Sequence, residues 1–154
     1  MSVYIYRPIT AHDIEHICSH RERMFLEAGH ARERLTPMTQ HFRLWLAAQF
    51  EADSYFGRVA LKEDSVIGSV GWMTLEWPPH PLHPEQGKRG YVLNLFVEPV
   101  HRGKGIAKAL MAEADAWFLG EGIEYCILHS TRMARTMYEK LGWSGTSEMA
   151  RKYV

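Results

Sequence analysis

The sequence predicts an α/β fold, α+β in schemes that separate antiparallel sheets, and three observations carry that prediction. Hydrophobic periodicity switches from helical to alternating and back again along the chain. A mostly apolar run, YVLNLFVEP, leads through a glycine-bearing turn into an amphipathic helix. A second short apolar run, 123–128, then closes a βαβ unit with strand 90–97. That pair should be parallel and its crossover right-handed.

Each element has its own signal. Residues 3–7 alternate like a strand and stop at Pro8, after which Thr10 and Asp13 form a helix N-cap pair. Ile14, Ile17, Cys18, Phe25 and Ala28 give the helix that follows an apolar side, and Gly29 ends it. A second helix is expected to start near Thr36 and Pro37, a cap and first-turn pair, and to fade by Ala52. Strands 55–62 and 66–76 flank a polar turn at Glu63–Ser65. EWPPHPLHPEQG packs four prolines into positions 78–84 and must be a surface loop. Ile106, Ala107, Leu110, Met111, Ala114, Trp117 and Phe118 mark one face of a helix ending at Gly120. A helix over 132–141 and a short terminal hairpin complete the order β-α-α-β-β-β-α-β-α-β(β).

Gross composition narrows the class. At 154 residues, with 46% hydrophobic and 23% charged residues, the chain suits one globular domain spanning 1–154. Lys plus Arg equals Asp plus Glu, 18 against 18, which argues against a nucleic-acid binder with a broad basic face. Cys18 and Cys126, far apart, suggest reduced thiols. MSVYIYRP shows no basic leader ahead of an apolar core, and no apolar run approaches the roughly 18 residues of a membrane helix. A cytoplasmic protein is the expectation.

HRGKGIAKAL, residues 101–110, puts permissive backbone and dense positive charge directly ahead of a helix. The first-turn amides of a helix lack intrahelical partners and sit at the positive end of its dipole, where an anion is favoured. His101, Arg102, Lys104 and Lys108 add charge that a diphosphate could use. Neither a Walker loop nor a dinucleotide fingerprint fits, since Gly105 lacks a following Lys-Ser/Thr and Lys108 stands at the third glycine position. A phosphate cradle and a plain strand-to-helix turn both remain open on this evidence.

Arg102-Gly-Lys-Gly105-Ile-Ala107 resembles the R/Q-x-x-G-x-G/A motif of the GNAT superfamily of N-acetyltransferases, with Ala107 in the last position. LHSTRMARTMYEKLGW resembles that family's second conserved block, and the element order matches along nearly the whole chain. The resemblance implies a mostly antiparallel central sheet with helices on both faces and strands 90–97 and 123–128 splayed apart. It implies acetyl-CoA as co-substrate, with Arg102, Gly103, Lys104, Gly105, Ile106 and Ala107 around the pyrophosphate. The main chain of Leu95, Phe96 and Val97 would pair with the pantetheine arm. Thr131 stands where the family often has Asn and is carried over as a cofactor contact. Tyr138 lies where the family often has the acid that protonates the departing thiolate. Homodimers are a family habit that stays open here.

Acetyl transfer to an amine needs a neutral amine, a stabilised oxyanion and a protonated leaving group. An alkylamine is roughly one part in 10³ neutral at pH 7, a shortfall of about 4–5 kcal/mol that a base or a desolvating pocket must cover. Tyr138, protonated at neutral pH, suits the acid role, against a plain buried tyrosine. For the base, His129 comes first because imidazole titrates near working pH. Glu76, Glu98 and a water relay are the alternatives, and each side chain could simply be a strand-end polar group. His80 and His83 lack the carboxylate or cysteine partners a metal site would need, so no metal is expected and solvated histidines are the simpler reading. Phe42 and Trp45 are read first as core and second as acceptor pocket. The Arg21–Glu22–Arg23 and Arg32–Glu33–Arg34 clusters read as solvated charge.

The leading expectation is an acetyl-CoA-dependent N-acetyltransferase whose acceptor, a primary amine of a small molecule, amino acid or peptide, attacks directly in a ternary complex. Two alternatives stand beside it: a non-catalytic acyl-CoA sensor, and an acetyltransferase of protein Lys or N-termini. No nucleic-acid or membrane partner is expected.

Overall fold

The computed structural model describes residues 3–154 and is built on one five-stranded sheet, with strands in sequential order. β1 (Ile5–Pro8), β2 (Phe56–Lys62), β3 (Ser65–Glu76) and β4 (Lys88–Val97) are antiparallel neighbours, and β5 (Cys126–Leu128) joins β4 in parallel. The helices are α1 (Ile14–Glu27), α2 (Arg32–Glu51), α3 (Ile106–Gly120) and α4 (Arg135–Lys140). No helix among the described residues is long and apolar enough to cross a membrane.

Alternation along the strands divides the interior between two faces. Val59 packs with Ile17, Cys18, Phe42 and Leu46 of α1 and α2, whereas Ala60 packs with Ile106, Leu110 and Met111 of α3. Leu46 and Leu110 are fully buried, each contributing about 1.5–3 kcal/mol by leaving water. Cys18 and Cys126 are free thiols.

Local chemistry sets the boundaries. Thr10 and Asp13 form a capping box, over a short 3-10 turn that leads into α1. Glu63 and Asp64, at φ 50° and 68°, make the two-residue turn between β2 and β3, matching the twist of the hairpin.

Beyond shifts of a residue or two at β1 and β4, four features differ from the sequence expectation. α2 starts at Arg32, not near Thr36, so Pro37 sits inside the helix. Its missing N–H gives up only the bond to Glu33, and the Thr36 hydroxyl donates to the Arg32 carbonyl. β5 begins at Cys126 because residues 121–123 are spent closing α3, with Ile123 N–H bonded to the Phe118 carbonyl and Gly122 left-handed at φ 70°. α4 begins at Arg135, since Thr131 first closes a turn on the Ala134 amide. The terminal hairpin does not form: 143–154 has no strand pairing, and its apolar Met149, Tyr153 and Val154 are exposed and bury nothing against the sheet.

Candidate active site

β4 is where the sheet opens. It pairs with β5 only over Gly90, Tyr91 and Val92, so Leu93–Val97 presents a free main-chain edge on that side. Asn94 takes a left-handed conformation at φ 61° and interrupts the register with β3 between Ser69 and Gly71, a bulge that re-aims the strand. Asn tolerates this backbone better than a branched apolar residue would.

Beyond Val97 the chain makes a 3-10 turn over Pro99–His101 and reaches Gly103 and Gly105, both left-handed at φ 76° and 81°. A Cβ at either glycine would meet nothing within 4 Å, so backbone conformation and not space demands them. None of the backbone N–H groups from Gly103 to Lys108 has a hydrogen-bond partner among the described residues. These donors belong to the loop and first turn of α3, whose cap has no side-chain hydrogen bond and whose first turn has no carboxylate. The arrangement attracts an anion through fixed amides and the helix dipole.

The side-chain cations contribute less than the sequence suggests. Arg102 donates through Nε to the Val97 carbonyl at 2.8 Å and through Nη2 to both oxygens of Glu27 at 2.9 Å, which ties the loop to α1. Lys108 and His101 border the cleft, and Lys104 is exposed outside its wall.

Loop, free edge and α4 together bound a cleft of about 450 Å³. Its walls include Leu95, Phe96, Val97, Ile106, Ala107 and Met137, with Thr131 and Tyr138 at the α4 end. A second cavity of about 310 Å³ shares Leu95, Thr131 and Tyr138 with it, and extends past Tyr91 and His129 to Arg21. Tyr138 is buried at 9% exposure, and burial pushes its hydroxyl pKa up to about 12. That hydroxyl has no hydrogen-bond partner within the described residues, and Tyr138 lines both spaces. Its high pKa keeps it a proton donor at every physiological pH.

His129 stands just past β5, and its Nδ1 lies 3.1 Å from the Tyr91 hydroxyl while Nε2 lies 3.2 Å from both Glu148 oxygens. The pattern is satisfied when Nε2–H donates to Glu148 and Nδ1 accepts from Tyr91. It forms a chain of titratable groups opening onto the second cavity.

The other base candidates fall away. Glu76 pairs in register with Lys88, at the opposite end of β3 and β4 from Val97, and borders neither cavity. Glu98 is held in a bidentate pair by Arg23 at 2.6 Å, which lowers its pKa and its basicity. His83 is not solvated: it is fully buried, with Nδ1–H donating to the Gln86 carbonyl and Nε2 accepting from Arg89. The described residues contain no group of three or more His, Cys, Asp or Glu that could hold a metal. Phe42 is core and stacks on the partly exposed Trp45, and neither borders the cavities.

The charge clusters divide. Arg32, Glu33 and Arg34 are exposed on α2, as expected. Arg21, Glu22 and Arg23 are not simply solvated, because Glu22 accepts from Thr39 and Arg23 holds Glu98. Arg21 reaches inward, donating to Asn94 Oδ1 at 2.7 Å over the faces of Phe25 and Phe42. Asn94 in turn donates to Tyr55 at 2.9 Å. Sequence reasoning missed Arg21, Tyr91 and Asn94. A polar Asn inside the apolar run YVLNLFV was the available signal for the last.

Similarities to known proteins fit this geometry. The model of the acetyltransferase (GNAT) family matches residues 15–143. A GCN5-related N-acetyltransferase from Ralstonia eutropha JMP134 has 44% identity and a TM-score of 0.96, with 98% of this chain and 99% of that one covered. A predicted acetyltransferase from Clostridium acetobutylicum, solved with acetyl-CoA, shares the fold at 20% identity and TM-score 0.89, covering 98% and 96%. Human N-acetyltransferase 8B is 30% identical over 93 residues, which span 58% of this chain and 39% of that protein.

Proposed function

Since the chain belongs to the acetyltransferase (GNAT) family, we propose that it is an acetyl-CoA-dependent N-acetyltransferase that moves an acetyl group to a primary amine. The observation that carries this reading is the row of unpartnered amides from Gly103 to Lys108, standing beside the free edge of β4.

The cleft suits such a co-substrate on its own chemistry. Fixed N–H donors at a helix start match a diphosphate, an open strand edge matches the amides of a pantetheine arm, and apolar walls match its methylenes. The Clostridium acetobutylicum neighbour, solved with acetyl-CoA, supports the same choice. Acetyl-CoA, when bound, supplies an acetyl group activated as a thioester.

The chain's own residues supply the rest. Gly103 through Ala107 hold the diphosphate end, with Arg102 and Lys104 keeping the loop's shape and field. Leu95, Phe96 and Val97 align the arm by main-chain pairing, and Thr131 closes the α4 side. An amide of this strand polarises the carbonyl that the amine attacks directly in a ternary complex. The amine proton leaves through Tyr91 to His129 or to water. Tyr138 gives its hydroxyl proton to the departing sulfur, and a Tyr of high pKa does so without ionising beforehand. We assign the whole chain, 1–154, to this one domain.

Thiol release from acetyl-CoA, scanned against a panel of small amines, tests the reading. Amine-dependent release with a matching N-acetylated product is expected. Tight acetyl-CoA binding with no release for any amine or peptide would identify a sensor instead.

A further inference from the structure

Arg21 is a cation set inside the molecule without an anion. Its guanidinium lies over Phe25 and Phe42, and the one hydrogen bond it makes within the described residues is from Nη1 to Asn94 Oδ1. Nε is fully buried and unpartnered. Its charge is bordered by Tyr55, Tyr91 and Cys18, all neutral at physiological pH, and burial lowers its pKa as expected of a cation lacking a counter-ion. Arg7, Arg23, Arg43, Arg58 and Arg102 each hold a carboxylate, and the buried Arg89, which holds none among the described residues, has the His83 imidazole as acceptor and lines no part of this cavity. A half-buried, unpaired guanidinium is costly, and a ligand anion seated on it would offset that cost.

The space in front of Arg21 supports the same point. The 310 Å³ cavity is lined by two arginines, Arg21 and Arg132, and two histidines, His30 and His129, with no Asp or Glu. Glu148 lines a different cavity, of about 560 Å³, where its oxygens lie 3.2 Å from His129 Nε2. Such a wall repels a polycationic amine and attracts an anion. Its volume sits at the small end for ligand sites, so the guest is of amino-acid size. Asn94, which orients Arg21, directly precedes Leu95 of the cleft, so a carboxylate on Arg21 places an amine a few bonds away beside the cleft's open edge.

We infer that this cavity is the acceptor site and that it selects small molecules carrying an amine and a carboxylate together, with the carboxylate bound by Arg21. The inference rests on the acetyl-transfer reading above. Arg21 is a specificity residue, and Asn94 and Tyr55 are positioning residues that hold its fork. Polyamines and aminoglycoside-like polycations are the class that the wall disfavours.

The test compares matched acceptors: α-amino acids, their carboxamides, their decarboxylated amines, glucosamine 6-phosphate as an amine phosphate, and spermidine. Wild-type kcat/KM is expected to favour the carboxylates over their amides by about 10²-fold. Arg21→Gln should erase most of that preference, with a penalty at least tenfold smaller on the amides, and Arg21→Lys should restore part of it, because it keeps charge without the fork. Melting temperature and acetyl-CoA affinity of each variant report folding. If Arg21→Gln does not fold, Arg21→Lys and the wild-type ranking decide. Preference for spermidine, for the decarboxylated amines or for the amine phosphate overturns the inference, as does an equal penalty on all acceptors. If no amine releases thiol, the acetyl-transfer reading fails. Calorimetric titration of the enzyme–CoA complex with amino acids and their amides then judges Arg21 alone, and equal binding of both sinks it.

Discussion

Arg23 and Glu98 lie side by side across the junction of α1 and β4, each guanidinium Nη 2.6 Å from a carboxylate oxygen. The pair fastens the helix carrying Arg21 to the strand end that opens the cleft. Its side chains are 39% and 27% exposed, so solvent screens it. Glu98→Gln should therefore cost at most about 1 kcal/mol of stability. Arg23 depresses the Glu98 pKa, so the pair's contribution is present above the unfolded carboxylate pKa and is lost as pH falls through the lower folded value. Glu98→Gln should leave the pH dependence of kcat in place, because a carboxylate already bound to Arg23 is not the base. Loss of the acidic limb, the fall in rate toward low pH, in that variant would restore Glu98 as a candidate.

His20 gives a second, distinct acid sensitivity. It is 2% exposed, bonded through Nδ1 to Ser69 Oγ at 2.6 Å, stacked on Phe96, and burial lowers its pKa to about 4. Below the unfolded value near 6.5 the unfolded chain takes up a proton that the folded chain refuses. Stability should thus fall as pH drops from about 6.5 toward 4, by about 3 kcal/mol across the window. Urea titrations at pH 7 and pH 5 read this directly. His20→Gln should flatten the slope, and an unchanged slope in that variant would assign it to other groups.

Gly105 sits at φ 81°, where proline cannot go and other residues are strained. Gly105→Pro also removes one of the unpartnered amides. Acetyl-CoA affinity should fall at least tenfold, about 1.4 kcal/mol, in a variant whose melting temperature shows it folded, since an added ring at 105 meets open space. Calorimetry with acetyl-CoA measures it. Unchanged affinity in a folded variant means the loop is only a turn.

Much of this frame is written in local sequence signals. The period switches placed the strands, and the glycines and following apolar face placed α3, because those signals are local. The βαβ pairing of β4 with β5 followed from chain order and handedness. What stayed hidden depends on distant residues meeting. Arg21 reads as surface charge until Asn94, far along the chain, takes a left-handed bulge and accepts from it. His83 reads as solvated until Arg89 and Gln86 fold over it. The terminal hairpin failed for the opposite reason: the apolar Met149, Tyr153 and Val154 that would anchor it stay exposed and find no sheet face to cover.

Tyr138 carries the last prediction. It stands on α4, its ring 6.4 Å from that of Trp143, and it lines both the cleft and the acceptor cavity, with a hydroxyl unpartnered among the described residues. Burial raises its pKa to about 12, so it is protonated through the working range and its own ionisation will not appear in the pH profile. A thiol of pKa near 8.5 is a fair leaving group unaided, which limits the donor to the usual 10² to 10⁴ of general-acid catalysis. Tyr138→Phe keeps the ring and its packing, and removes a hydroxyl that makes no hydrogen bond among the described residues. Stability and acetyl-CoA affinity should stay close to wild type. The chemical step should slow by about two orders of magnitude, with KM for the amine little changed, the mark of an interaction made only in the transition state. Single-turnover measurement isolates that step from product release. A Phe variant within threefold of wild type there would make Tyr138 a wall of the cleft and leave the sulfur to be protonated by solvent.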